Sequence, residues 1–255
     1  ADIFLALITD QHIFVSAGEK DRARVIKLFD ENNSIVIHNG VDHEYLGSLS
    51  VSRNIVFKSI RCEDWKDKKI LGTISRLSPE KGILNLLSAF SKIIPIMADL
   101  RLIIVGGCPA EYRDYHATVK DFIEQENLTE HVRILGYQQD AVKILKCMDF
   151  YVSSSLSEGL PISVLEACAS GIPTVATEIT GNKDILSNSI FGVLVKPNCP
   201  ESLAGGIIKM MKLTKNEQDR LIQNARKRIK VHFSIDEMAL KTTLLYRKIL
   251  SKKVA

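Results

Sequence analysis

Two carboxylates and two cations fall in short stretches whose spacing suits chemistry on an anionic ligand such as a phosphate. Glu158 and Glu166 lie within Ser155-Leu-Ser-Glu-Gly-Leu-Pro-Ile-Ser-Val-Leu-Glu-Ala167. Arg76 and Lys81 lie within Gly72-Thr-Ile-Ser-Arg-Leu-Ser-Pro-Glu-Lys-Gly82. Arginine offers a planar fork of donors that matches phosphate oxygens, and lysine a compact point charge. The elements that must hold the carboxylates are legible around them. Phe150–Ser154 is apolar and rich in strand formers, so it reads as a short buried strand. Pro161 suits the first position of a helix, and Gly171 with Pro173 supplies the stop, which leaves a helix of about 9–10 residues. Glu158 stands just before that helix and Glu166 about one and a half turns into it.

A helix N-terminus exposes unpaired N–H groups at the positive end of a dipole. Gly159 lets a ligand approach the backbone, so Gly159, Leu160, Pro161, Ile162 and Ser163 read as an anion-receiving turn. Other readings stay open. Glu158 could act only as a partner of the helix dipole, and Glu166 as a solvated helix residue. Ile162, Val164, Leu165, Cys168 and Ala169 leave Glu166 little polar face, however, and a carboxylate there needs a partner such as a ligand hydroxyl. Arg76 and Lys81 sit past the carboxyl end of the strand Lys69–Ser75, where open α/β sheets bind ligands. The alternative is two ordinary surface cations.

Along the chain, strand and helix patterns alternate. Strands are predicted at 11–16, 35–38, 69–75, 100–106, 132–136, 150–154 and 192–195, together with the Gly-Ile-Pro-Thr-Val-Ala segment ending near Thr177. Helices are predicted at 19–32, with Val25, Ile26 and Phe29 on one face, and at 81–96, with Leu84, Leu87, Phe90 and Ile94 inward. Further helices are expected at 111–125, 140–146, 201–212, 215–231 and 235–250. Ala1–Leu7 reads as the inside of a helix, and residues 43–68 as linker. Such alternation predicts an α/β fold, a parallel sheet covered by helices on both faces.

The two charged stretches resemble the donor-site signature of the retaining glycosyltransferases of family 4 (glycosyl transferases group 1), which have the GT-B fold. That family carries two glutamates with seven residues between them in a Ser-Glu-Gly-Leu-Pro…Glu-Ala context, and Glu158 to Ala167 match in order. Gly72 to Gly82 resembles its Gly-x-x-x-Arg-Leu-x-x-x-Lys-Gly element. The resemblance implies that Arg76 and Lys81 hold a donor diphosphate, Glu166 the ribose hydroxyls and Glu158 the donor sugar. It implies transfer of a sugar from a nucleotide-diphosphate sugar, a UDP-sugar for instance, to a glycan or lipid-linked acceptor hydroxyl with retention. Gly136 and Tyr137 match a turn that cups the base, unless they are a core strand with an exposed tyrosine. Leu102–Pro109 matches a Gly-x-Gly-Pro turn with Cys108 inserted, and a plain strand-end turn is an equal reading. Thr177–Leu186 departs from the family at Thr180 and Asp184, so it is read as mainly structural. His38-Asn-Gly-Val-Asp42 resembles the end of the family's first domain. Residues 1–48 are then a remnant of a first Rossmann-like acceptor domain, most of which is expected upstream. Residues 49–234 are the Rossmann-like donor domain, and 235–255 a helix packing back across both. The alternative function is a nucleotide-sugar-binding half that needs a separate N-terminal domain.

Composition bounds these readings. With 45% hydrophobic and 25% charged residues, the 255-residue chain can fill a globular core, and no apolar run approaches the ~20 residues of a membrane span. Cys62, Cys108, Cys147, Cys168 and Cys199, and the six scattered histidines, show no metal-type spacing. No cofactor and no metal are expected, and no Asp-x-Asp pair is present. Scattered cysteines point to reduced thiols in the cytoplasm. Residues 201–255 carry 13 Lys and Arg against 5 Asp and Glu, whereas residues 1–200 carry 21 against 25. That basic end is either a solvated helical face or a peripheral contact with an anionic membrane at its inner face. Aromatic residues do not interleave with the basic ones, which argues against nucleic acid.

Overall fold

The computed structural model describes residues 9–25, 29, 31–187 and 190–254. Strands β1 (His12–Phe14) and β2 (Ser34–Val36) pair in parallel, with helix α1 (Ala17–Val25) between them in the chain. The Phe14 and Phe29 rings meet with centroids 4.8 Å apart beside this pair. Helices α2 (His43–Ser48) and α3 (Arg53–Ser59) follow, then a 3-10 turn at Glu63–Trp65. From there strand and helix alternate. The order is β3 (Lys69–Ile74), α4 (Ile83–Ile93), β4 (Leu100–Val105), α5 (Arg113–Gln125), β5 (Val132–Ile134) and α6 (Ala141–Leu145). It continues with β6 (Phe150–Ser153), α7 (Ile162–Ser170), β7 (Thr174–Thr177), α8 (Thr180–Leu186) and β8 (Val193–Val195). Helices α9 (Pro200–Lys212), α10 (Lys215–His232) and α11 (Ile235–Val254) close the chain.

Strands β3 to β8 form one parallel sheet in the order β5-β4-β3-β6-β7-β8. Alternate residues of a strand face opposite sides, and both sides here are covered. Ile70 and Ile103 pack with α3 and α7 residues such as Phe57 and Val164, whereas Leu71 and Ile104 pack with Phe90 of α4 and Ile207 of α9. This is the expected α/β architecture of a parallel sheet between helical layers. The strand order reverses between β3 and β6, so their helical connections leave in opposite directions and a crevice opens beyond their carboxyl ends.

Several expectations need correction. Residues 43–68 are not a bare linker: Leu46, Val56, Phe57, Cys62 and Trp65 all enter the core. Helices of six and seven residues complete too few turns to show a period. Helix α1 is described over Ala17–Val25, where Val25 is 81% exposed, while Ile26 lies outside the described residues. Its buried residue is Ala23. In α4 the inward stripe is Ile83, Leu86, Leu87, Phe90 and Ile93, with Leu84 and Ile94 at its margins. The Gly82 start sets the helix two residues later than expected. Thr177–Leu186 contains a helix, α8, and Pro161 stands one residue before α7 rather than in it. Ala1–Leu7 falls outside the described residues.

Trp65 tests the revised role of residues 43–68, since its ring is buried and Arg133 lies over it at 4.2 Å. Trp65→Ala should remove about 3–5 kcal/mol of stability, read as a lower urea midpoint. An unchanged midpoint would return the segment to a passive linker.

Candidate active site

The loops after β3 and β6 share the crevice and are locked together by backbone contacts. Gly82 has φ +63°, and a Cβ there would stand 2.2 Å from Ser154 O, so only glycine fits. Ser154 Oγ donates to Lys81 O at 2.9 Å, and Leu156 N donates to Glu80 O at 2.8 Å. The lock aims Lys81 across the crevice. Its Nζ meets Glu158 Oε1 at 2.7 Å, and Ser155 Oγ donates to the same oxygen at 2.7 Å. The lysine is 15% and the glutamate 16% exposed, so water screens this pair far less than a surface one. Arg76 stays open, 63% exposed, with Nη2 3.4 Å from Glu80 Oε1.

Between these loops lies a cavity of about 270 Å³. Arg76, Lys81 and Glu158 line it, together with Leu160, Pro161, Ile162 and Ser163 at the start of α7. Helix geometry leaves the N–H groups of Ile162 and Ser163 without an intrahelical acceptor. The structure therefore brings one carboxylate, both cations and the helix start to one wall. Glu166 lies outside that wall, on the α7 face shared with Ile162 and Ser163. Burial pushes its carboxyl above the usual carboxylate range, and no neighbouring cation offsets the effect. Burial also pushes the Tyr151 hydroxyl, which donates to Ile74 O at 3.4 Å, up to about 12.

The other expected site residues are spread around the crevice. Gly159 abuts Val15 and Glu19, which a Cβ would meet at 2.9 and 3.4 Å. Gly136 has φ +67° and accepts from Gly106 N at 2.8 Å. Tyr137 beside it is 80% exposed, and both stand beyond the cavity wall. Gly72 faces the core, where a Cβ would meet Met148 Sδ at 2.2 Å.

Sequence reasoning missed three contributors. Asn39 lines the cavity and donates from Nδ2 to Leu160 O at 3.0 Å. Arg22 of α1 donates from Nη2 to Glu158 O at 3.1 Å. Ser75 lines the cavity beside Arg76. Only for Asn39 was there a local signal, the Asn-Gly pair, and it reads equally as a turn. Among the described residues, no three His, Cys, Asp or Glu side chains converge, and no helix is long and apolar enough to cross a membrane.

A family model described as glycosyl transferases group 1 matches residues 58–228. An uncharacterized glycosyltransferase from Methanocaldococcus jannaschii is 30% identical over 241 residues, covering 93% of this chain and 60% of that protein. The Escherichia coli UDP-Gal:alpha-D-GlcNAc-diphosphoundecaprenol alpha-1,3-galactosyltransferase is 26% identical over 211 residues, covering 82% of this chain and 53% of that enzyme. The crystal structure of an Anabaena protein in complex with UDP and glucose superposes with a TM-score of 0.86, over 96% of this chain and 65% of that one. At 22% identity that last likeness is one of fold. The chain thus spans little more than half to about two thirds of these proteins.

The buried carboxylate yields a test that needs no ligand. The folded state holds the Glu166 proton more tightly than the unfolded one, so ionising it costs stability as pH rises. Glu166→Gln should therefore melt higher than the parent chain at about pH 7, and the gap should close towards about pH 4. A gap that is constant with pH would mean the carboxyl is not strained by burial.

Proposed function

The chain belongs to the glycosyl transferases group 1 family, and from that premise we propose that it transfers a hexose from a UDP-sugar to an acceptor hydroxyl. The proposal includes retention at the anomeric carbon and a glycan or lipid-linked acceptor, within polysaccharide or glycoconjugate synthesis. The observation that carries it is the meeting of Arg76, Lys81, Glu158 and the α7 start on one cavity at the reversal of strand order. UDP as the nucleotide is supported by the UDP-Gal donor for which the E. coli relative is named.

In the proposed reaction the bond from the anomeric carbon to the β-phosphate oxygen breaks, and a bond to the acceptor oxygen forms on the same face. The acceptor proton passes to the departing phosphate. Arg76, Lys81 and the N–H groups of Ile162 and Ser163 stabilise the charge that develops on the diphosphate. They do so without a metal in this proposal. Lys81 is already held by Glu158, so the carboxylate fixes the cation while facing the sugar beside the anomeric centre. Glu158 has no nucleophilic role here. Glu166, strained by burial, accepts from the ribose hydroxyls, while Gly136 and Tyr137 meet the base. Gly159, Leu160 and Pro161 carry the backbone past the sugar.

The proposal also places the protein in the cytoplasm, with the basic residues 201–255 touching anionic lipid at the inner face of the membrane. Co-sedimentation with anionic but not neutral vesicles tests that contact.

Calorimetric titration should show UDP bound in preference to GDP, ADP and CMP, and Arg76→Ala with Lys81→Ala should abolish the heat. Turnover by an assembled enzyme should fall about a hundredfold or more in that double variant, with a product of unchanged anomeric configuration from the parent. Equal UDP affinity in parent and double variant would overturn the donor site.

A further inference from the structure

Ser75 stands just past β3, one residue before Arg76, and lines the cavity. Its backbone is fixed from two sides. Ser75 N donates to Val105 O at 2.9 Å, and Gly106 presses on its carbonyl so closely that a Cβ there would fall 1.8 Å from Ser75 O. Gly106 has φ +146°, which side-chain-bearing residues rarely adopt, so the contact depends on glycine.

The hydroxyl has no such anchor. Ser75 Oγ is shut away from water and, among the described residues, has no hydrogen-bond partner. Its neighbours differ: Ser78 Oγ donates to Glu80, Ser154 Oγ to Lys81 O and Ser155 Oγ to Glu158. A buried hydroxyl without a partner is unfavourable, and alanine would fill almost the same space without that penalty. The residue is thus worse for the empty chain than its simplest replacement, which is a feature of groups kept for a ligand.

We infer that Ser75 is a ligand-binding hydroxyl for a nucleoside diphosphate. Rotation about χ1 between staggered wells turns Oγ into the cavity, where it donates to a phosphate oxygen also held by Arg76. The inference rests on the donor site proposed above. A phosphate is favoured over a sugar hydroxyl because phosphate oxygens accept only, Ser75 adjoins a half-open guanidinium, and a donor to an anion gains more than a donor to a neutral group. On Glu158, an acceptor in the cavity wall, Oε1 is already occupied by Lys81 and Ser155.

The test combines calorimetry and melting on the full chain, using UDP and UDP-glucose as probes. Ser75→Ala and Ser75→Gly should each weaken both probes alike, by about tenfold. The ligand-free Ser75→Ala chain should melt at the parent temperature or above it. A lower melting temperature with UDP affinity intact would make the hydroxyl structural and overturn the inference. Loss confined to UDP-glucose would overturn the phosphate assignment. If the parent binds no UDP, the donor-site reading falls and takes this inference with it. If the parent binds UDP and Ser75→Ala binds it equally well, the inference alone falls.

Discussion

The missing side chain at Gly82 is the constraint on which the site depends. Because nothing projects from its α-carbon, the loop after β3 can press against Ser154 O in the loop after β6. Two hydrogen bonds, from Ser154 Oγ and Leu156 N, then fasten the loops at the level of Lys81 and Glu80. Lys81 has little freedom left, and Glu158 lies within its reach. The sheet makes this possible one level down, since β3 and β6 are sequence-distant strands placed side by side at the reversal. A pair 77 residues apart in the chain is thereby brought to hydrogen-bonding distance.

The same region concentrates groups that an isolated fold has no reason to keep. Glu166 is driven towards its protonated form by burial, and Asn182 Oδ1 and Ser75 Oγ are buried without partners. Partnerless buried atoms occur outside the crevice too, His43 Nε2, Arg101 Nε and Ser170 Oγ among them, whereas other parts of the scaffold close on themselves. Arg133 grips Asp64 through both nitrogens and covers Trp65, and Thr214 and Glu217 form a reciprocal cap at the start of α10.

Much of this was readable from residue order. Repeated β-branched runs such as Leu100–Val105, each followed by a helical pattern, already implied a parallel α/β sheet, and the sequence around Glu158 and Lys81 already implied one anion-receiving region. What escaped were features that depend on distance in space. Asn39 and Arg22 act on the Glu158 loop from more than a hundred residues away; no local pattern marks Arg22, and the Asn-Gly pair at Asn39 reads equally as a turn. Trp65 and Phe57 sit on elements too short to display a period. The α4 stripe was displaced because Gly82, in its left-handed conformation, delays the helix start, and a hydrophobic pattern alone does not carry that phase. Gly72 opens the stretch that the resemblance assigns to the donor, and its lack of a side chain is explained by the bulk of Met148.

The resting Lys81–Glu158 contact also bears on how the site ignores the wrong anions. An empty crevice lined by free cations would trap whatever small anion is most abundant in the surrounding fluid, inorganic phosphate and chloride included. Here the lysine charge is already answered by a carboxylate 2.7 Å away, and the exposed rim arginine is more loosely paired, 3.4 Å from Glu80. A lone small ion can displace that carboxylate only by replacing an existing contact with one of similar kind. A larger ligand that reaches the helix start, the rim arginine and the deeper wall together adds contacts instead. The Lys81–Glu158 contact thus favours a ligand with several points of attachment over a simple salt.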